Sequence, residues 1–359
     1  MIHYKFPHIE QLKNVLVSLK HKYQNPVQTS DGWVFDESLP LPVIEFYGTV
    51  KLHGSNTAIV VDMKNDMIYA QSRESILTPQ SDYKEFAKFV EEIGKDTIVD
   101  MLSHGIIGEL YTTDEPIVIY GEWCGQGIQS GVGISQLPRM FVIFAVKIGN
   151  RWCDKNEFCN MQIPDKKIYN IFKGANNGDP STPALFYNTV IDFNNLSTIT
   201  DALSEVTEDV ERECPFAKTF GISGIGEGIV WRSICDYRTK KFCGGDDGDP
   251  WMFKVKGDKH KNVKEKSLIT IAPEVTDNIN QIVSSVLTEQ RLNQGIEKLG
   301  EKGLEVSKKN TSNFLMWIKD DITRECRDIL DPLPTENCKA VFADIQKKAR
   351  EWFFKQPGV

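Results

Sequence analysis

The chain has 359 residues and a mass of 40.7 kDa, about twice a usual domain, so two domains are expected. Its 42 Lys and Arg against 50 Asp and Glu give a net charge of −8, which excludes a protein that coats nucleic acid by bulk charge; 40% hydrophobic and 26% charged residues exclude the disordered and collagen-like classes. No apolar run approaches the roughly 18 residues of a spanning helix, and MIHYKFPHIE lacks the pattern of a secretory leader, so a cytoplasmic location with no membrane partner is expected.

In chain order, Ile9, Leu12, Val15, Leu16 and Leu19 recur at helical spacing, and Asn25-Pro26 stops the helix they predict. Val43 to Ala70 reads as strands, VIEFYGTVKLHG and then TAIVVDMKNDMIYAQS, with a hairpin turn at Lys64-Asn65-Asp66. Helix returns from Tyr83 to Ile93, where Phe86, Phe89 and Val90 share a face. Four more strands are predicted, IVIYGEWC, RMFVIFAVKIG, EGIVWRS and WMFKVKG, with a helix near residues 198–212 among them. After Val263 strands vanish. Three apolar stripes then predict helices: Ile279, Ile282, Val283 and Val286; Phe314, Trp317, Ile318 and Ile322; Val341, Ile345, Ala349 and Trp352 or Phe353.

From Asp258 onward 17 basic and 16 acidic residues nearly balance, so the excess of acid lies upstream. The pattern predicts an α+β domain with antiparallel sheets over residues 1–266 and a small all-α domain over residues 267–359. They join through DKHKNVKEKS, where Lys259, Lys261, Lys264 and Lys266 suit either a solvated linker or a phosphate-facing arm. The eight cysteines show no CxxC pair and no zinc-type spacing, so free thiols and no structural metal are expected.

Charged residues interrupt several of the apolar strands. Lys51-Leu52-His53-Gly54-Ser55-Asn56 sets a lysine at a strand end with a glycine three residues on, a pattern that a surface lysine beside a turn glycine matches equally well. Arg73 follows in QSRES, Glu122 in YGEWCG, Glu227 in EGIVWR, and Lys254 with Lys256 in FKVKG. Two apart on a strand, Lys254 and Lys256 point to one face, as exposed edge lysines or as part of a site. GISGIGEG and GQGIQSGVG do not join a strand to a helix in a βαβ unit, and no GxxxxGK[ST] occurs, so dinucleotide and P-loop readings fall. Gly244-Gly245-Asp246-Asp247-Gly248-Asp249 reads as a solvated hairpin loop in preference to a calcium site.

Taken in order, these motifs resemble the covalent nucleotidyltransferase superfamily of ligases and mRNA capping enzymes. Within it, KLHGSN is similar to the motif of the phage-type RNA ligases that seal nicks in duplex RNA, relatives of the kinetoplastid RNA-editing ligases. DNA ligases and capping enzymes usually place an aspartate where His53 stands. GEWCGQGIQSGV followed by MFVIFAV is similar to the family's third motif and the aromatic strand after it, and the resemblance covers roughly Val43 to Lys266, discontinuously.

The resemblance implies that Lys51 attacks the α-phosphate of ATP and becomes a lysyl-AMP, for which nearby cations or burial must lower its pKa. It implies that Arg73 contacts the nucleotide and the RNA end, that Glu122 holds the ribose hydroxyls and that Phe141 stacks on adenine. Glu227 matches the carboxylate associated with Mg²⁺ or Mn²⁺, and Lys254 with Lys256 the pair that neutralises the α-phosphate. Gly54 belongs to the nucleotide-binding loop; His53 and Asn56 match positions used for AMP transfer to a 5′-phosphate and for attack by the RNA 3′-hydroxyl. Two positions depart from the pattern: Val50 stands where glutamate is frequent, and Arg232 stands where lysine is frequent, keeping positive charge near the phosphate. The function implied is an ATP-dependent RNA ligase, monomeric, acting on nicked duplex RNA or an RNA–DNA hybrid. The alternatives are a DNA ligase or capping-type nucleotidyltransferase, and a catalytically silent nucleic-acid-binding homologue.

Overall fold

The computed structural model describes residues 1–29, 32–82, 84–105, 114–175, 185–235, 249–257, 275–331 and 333–359. The chain divides into two compact units, Met1–Lys259 and His260–Val359. The predicted boundary at 266 and 267, the lysines of the charged arm and the glycine-aspartate loop up to Gly248 lie outside the described residues.

In the first unit, α1 (Leu12–Tyr23) buries Val15 and Leu19. Ile9 precedes the helix, contrary to the prediction, because the backbone of Glu10 is committed to strand pairing with Met252 and Lys254. A short hairpin of β1 (Val27–Thr29) and β2 (Gly32–Val34) leads to β3 (Val43–Lys51), β4 (Ser55–Asp62), β5 (Met67–Ser72) and β6 (Ile76–Leu77). The predicted turn between β4 and β5 is present: Asn65 donates from its amide and side chain to the Asp62 carboxylate, and Asp66 takes a φ of 56°.

Helix α2 (Phe86–Ile93) begins later than predicted because Lys84 and Glu85, with φ of 56° and 63°, lie in a left-handed region that a right-handed helix cannot include. There follow α3 (Lys95–Gly105), β7 (Ile117–Cys124), β8 (Met140–Ile148), β9 (Arg151–Trp152), α4 (Lys155–Phe158), β10 (Ile168–Asn170), β11 (Phe186–Asp192), α5 (Ser197–Arg212), α6 (Pro215–Lys218), β12 (Gly228–Ser233) and β13 (Met252–Lys256). Strands β7, β8, β12 and β13 and helix α5 were legible in the sequence; α3, β10 and β11 were not.

Two sheets carry the unit. The larger has the order β10-β8-β7-β4-β5-β6, with β9 on β8, and is antiparallel except for the β10–β8 pair. The smaller, β11-β3-β12-β13, is antiparallel throughout. One face of the larger sheet (Ile59, Ile119, Phe141, Ile143) packs on α2 and α3 through Phe86, Val90, Ile98 and Leu102. In the smaller sheet, Ile44, Phe46, Ile229 and Phe253 pack with Val15 and Leu19 of α1 and Leu203 and Val210 of α5. The remaining face of each sheet turns toward a common cavity, as period-two alternation requires when the opposite face is core.

The second unit is helical: α7 (Val275–Val286), α8 (Glu289–Glu301), α9 (Thr311–Glu325), α10 (Arg327–Leu330) and α11 (Thr335–Phe353). The three predicted stripes meet in one core, where Val283, Phe314, Ile318, Val341 and Ile345 are buried and the rings of Phe314 and Phe353 stack at 4.5 Å. The fold class is therefore α+β followed by an all-α unit. Among the described residues no helix is long and apolar enough to cross a membrane.

Candidate active site

The register of the smaller sheet aligns three rows of side chains on the face that borders the cavity. Lys51, Gly228 and Lys256 form one row; Thr49, Val230 and Lys254 the next; Tyr47, Arg232 and Met252 the third. At roughly 3.3 Å per residue the first and third rows lie about 13 Å apart. The facing sheet contributes Asn56 and Glu122, which are register partners on β4 and β7, together with Phe144 of β8. The cavity between them is open to solvent, and Phe6, Ile9, Val50, Leu52 and Ile171 complete its lining.

Glu227, immediately before β12 and 2% exposed, bridges the two lysines of the first row. Its Oε2 accepts from Lys51 Nζ at 2.7 Å and lies 3.3 Å from His53 Nδ1, while Oε1 lies 2.9 Å from Lys256 Nζ. Burial pushes the Glu227 pKa up, but Lys256, Lys51 and His53 overcome it and hold the carboxyl well below the usual range. For Lys51, burial pulls the pKa down; the charges of Glu227 and Glu122 outweigh it and raise the net value above that of an ordinary lysine, although Arg73 opposes them. This corrects the expectation of a lowered pKa: the ammonium form is favoured because a buried carboxylate, not a cation, is its nearest neighbour.

Local geometry explains the glycines at this end. A Cβ on Gly54 would meet the Trp123 carbonyl at 2.4 Å, so the loop after β3 can lie against β7 only with glycine there. Gly228 has a φ of 146° and would drive a Cβ to 2.2 Å from the Val255 carbonyl. Glu227 is thereby held where β12 begins.

Other predicted residues are placed as follows. Arg73, just beyond β5, has its guanidinium 3.2 Å from His8 Nδ1. Lys254 is half-buried in the middle row. Arg232 is not near the first row. It sits in the third, 5% exposed, with its guanidinium 4.9 Å from the centre of the Trp152 ring, because four residues of extended chain separate it from Gly228. Val50 is buried and borders the cavity without a charge.

Phe141 also departs from expectation. It pairs with Trp123, one position from Glu122, so it lies on the opposite face of the sheet and is fully buried against Phe86 at 5.3 Å. Phe144, the extra residue of the bulge between Tyr120 and Gly121, is the aromatic of β8 that lines the cavity. The sequence reading also missed Tyr47 and Thr49, which a period of two counted back from Lys51 would have found. Phe6 and His8 lie in a segment with no periodicity and carried no such signal, and Ile9 fell in with the helical spacing of α1.

A family model described as RNA ligase matches residues 44–256, more than half of the chain. No curated protein matches it. Among solved structures, a variant of Naegleria gruberi RNA ligase with AMP and Mn is similar at 13% identity and a TM-score of 0.41, covering 72% of this chain and 56% of that one. Another variant of that ligase, with ATP and Mn, gives 12%, 0.39, 71% and 56%. The same ligase with PPi gives 13%, 0.40, 72% and 59%. The chain spans little more than half the length of these structures.

Proposed function

Because the chain belongs to the RNA ligase family, we propose that it is an ATP-dependent RNA ligase, joining a 3′-hydroxyl to a 5′-phosphate through lysyl-AMP and RNA-adenylate at nicks in duplex RNA, as the phage-type subfamily does. In this reading the Met1–Lys259 unit is the adenylyltransferase and the helical unit helps to grip the substrate. The observation that carries it is the buried Glu227 bridging the two lysines of the first row, Lys51 at a strand end and Lys256, within ion-pair distance of both, with Lys51 lining the cavity.

Lys51 is the nucleophile. Its lone pair becomes available only when the proton shared with Glu227 is given up, and Lys256 and Lys254 are placed to balance the charge that moves toward the departing pyrophosphate. Glu122 and Asn56 face the middle of the cavity, where the ribose would lie. Phe144, Tyr47 and Arg232 line the end away from Lys51, which makes Arg232 a neighbour of the base and not of the phosphate. Glu227 would be the protein carboxylate that holds a Mg²⁺ or Mn²⁺, with substrate phosphates supplying further oxygens, since among the described residues no group of three or more His, Cys, Asp or Glu could hold the ion alone. Bound there, the cation supplies charge neutralisation. His53, which shares Glu227, and Asn56 serve the later transfer to RNA.

The test is transfer of label from ATP labelled at the α-phosphate to the protein with Mg²⁺, beside Lys51→Ala. Label on the native protein and none on the variant is expected, followed by sealing of a nicked RNA duplex in preference to single strands. An unlabelled native protein that is also free of pre-bound AMP would sink the enzymatic reading. Labelling by GTP instead would favour the capping-type reaction.

A further inference from the structure

The segment before α1 is held at both ends. Near its start, Tyr69 Oη accepts from the Ile2 amide at 3.1 Å and donates to the Ile2 carbonyl at 2.7 Å, and the Gln71 side chain makes a reciprocal pair with the Tyr4 backbone at 3.0 and 2.6 Å. At its end, Glu10 donates to the Met252 carbonyl at 3.1 Å and accepts from the Lys254 amide at 2.9 Å. One strap therefore joins β5 of the larger sheet to β13 of the smaller. Between the anchors, Phe6 is 3% exposed and packs edge-on against Tyr120, Phe144 and Trp152.

Three consecutive residues, the last of β5 and the two that follow it, are each held by this strap. His3 Nε2 donates to the Ser72 carbonyl at 3.1 Å, His8 Nδ1 lies 3.2 Å from the Arg73 guanidinium, and Lys5 pairs with Glu74 at 3.3 Å. A guanidinium can only donate, so Nδ1 of His8 is the acceptor and its ring proton is on Nε2. A long arginine side chain otherwise spreads over many rotamers, and an acceptor on one edge of its planar fork fixes where the fork points. Arg73 also acts electrostatically on Lys51.

We propose that His8 is a positioning residue, and that the strap from Ile2 to Glu10 fixes where the Arg73 guanidinium points so that it meets the phosphate of a bound nucleotide or RNA end. The proposal rests on the ligase reading of the cavity. His8 acts through Arg73 and touches no reacting atom. Its removal therefore slows whichever step Arg73 serves, and does nothing further once Arg73 is gone.

The experiment is a double-mutant cycle on the full chain: His8→Ala, His8→Asn, Arg73→Ala and His8→Ala with Arg73→Ala. Single-turnover rates are read for lysyl-AMP formation and for sealing of nicked RNA duplex, together with melting temperature. His8→Ala should slow the Arg73-dependent step by about 10- to 100-fold, the scale of a misplaced group. His8→Asn, whose amide oxygen can accept in place of Nδ1, should recover most of the rate. In the Arg73→Ala background His8→Ala should cost nothing more. Additive losses, an Asn variant as slow as Ala, a fully active Ala variant, or a loss explained by a lowered melting temperature each overturn the positioning role while labelled native protein leaves the ligase reading intact. Native protein that is free of pre-bound AMP and takes no label on Lys51 overturns both.

Discussion

At the scale of single residues, the Glu227 carboxylate is shared by Lys51, His53 and Lys256, and the signs of the resulting shifts define a pH window. The Glu227 pKa is depressed, so its contribution to stability is complete above the ordinary glutamate value of about 4.3 and is lost as pH falls through the lower folded value. The Lys51 pKa is raised, so its contribution is complete below about 10.4 and is lost as pH rises through the higher folded value. Between pH 5 and 9 both are present. Glu227→Gln should therefore destabilise the first unit by about 3–5 kcal/mol across that range in urea unfolding, since it strands buried cations. The same change should lower the pH at which Lys51 reacts with an amine-acylating reagent, read by peptide mass spectrometry, because burial and Arg73 then act on the ammonium with less opposition. Reactivity setting in at the same or a higher pH would contradict the assignment of Glu227 as the group that keeps Lys51 protonated.

At the scale of elements, β8 separates packing from ligand contact along one strand. Phe141 is fully buried against Phe86, so Phe141→Ala should cost about 3–5 kcal/mol in unfolding experiments. Phe144 is half-buried at the cavity, and Phe144→Ala should cost less while raising the KM for ATP in the labelling reaction more than Phe141→Ala does. MFVIFAVKI shows why the sequence could not make this distinction. A nearly continuous apolar run announces a strand buried on both faces but not which residues share a face with Glu122, and the bulge at Tyr120 and Gly121 shifts the pairing partway along. Charged residues in apolar strands were legible for the opposite reason: Glu227, Lys254 and Lys256 have no place in a core unless they meet one another, and Lys256 and Glu227 do. Arg232 was misplaced for want of register, and the strap was invisible because its order comes from backbone pairing and scattered contacts with residues more than 60 positions away.

At the scale of the whole molecule, the two units have separate cores, so damage to one should leave the other's chemistry in place. The helical unit offers a point where this can be tested. Arg291 of α8 is fully buried; its Nε donates to Asp321 of α9 at 2.8 Å and its guanidinium also donates to the carbonyl of Val286, which ends α7. One side chain thus ties three helices and satisfies a carbonyl at a helix terminus. Arg291→Ala removes the nearer partner of Asp321, whose other carboxylate oxygen lies 3.7 Å from Arg324, and should lower the stability of this unit by up to about 3 kcal/mol. Replacing both residues by apolar ones of similar volume should recover most of that loss, because the pair's attraction is largely offset by its desolvation. In calorimetry the transition of the helical unit should move down alone, which a single two-state analysis would miss. Label transfer from ATP to Lys51 should persist in the Arg291→Ala protein at temperatures where the helical unit has melted, while sealing of nicked duplex falls. Loss of both activities together would mean that the adenylyltransferase chemistry depends on the helical unit, and that the separate cores do not make separate functions.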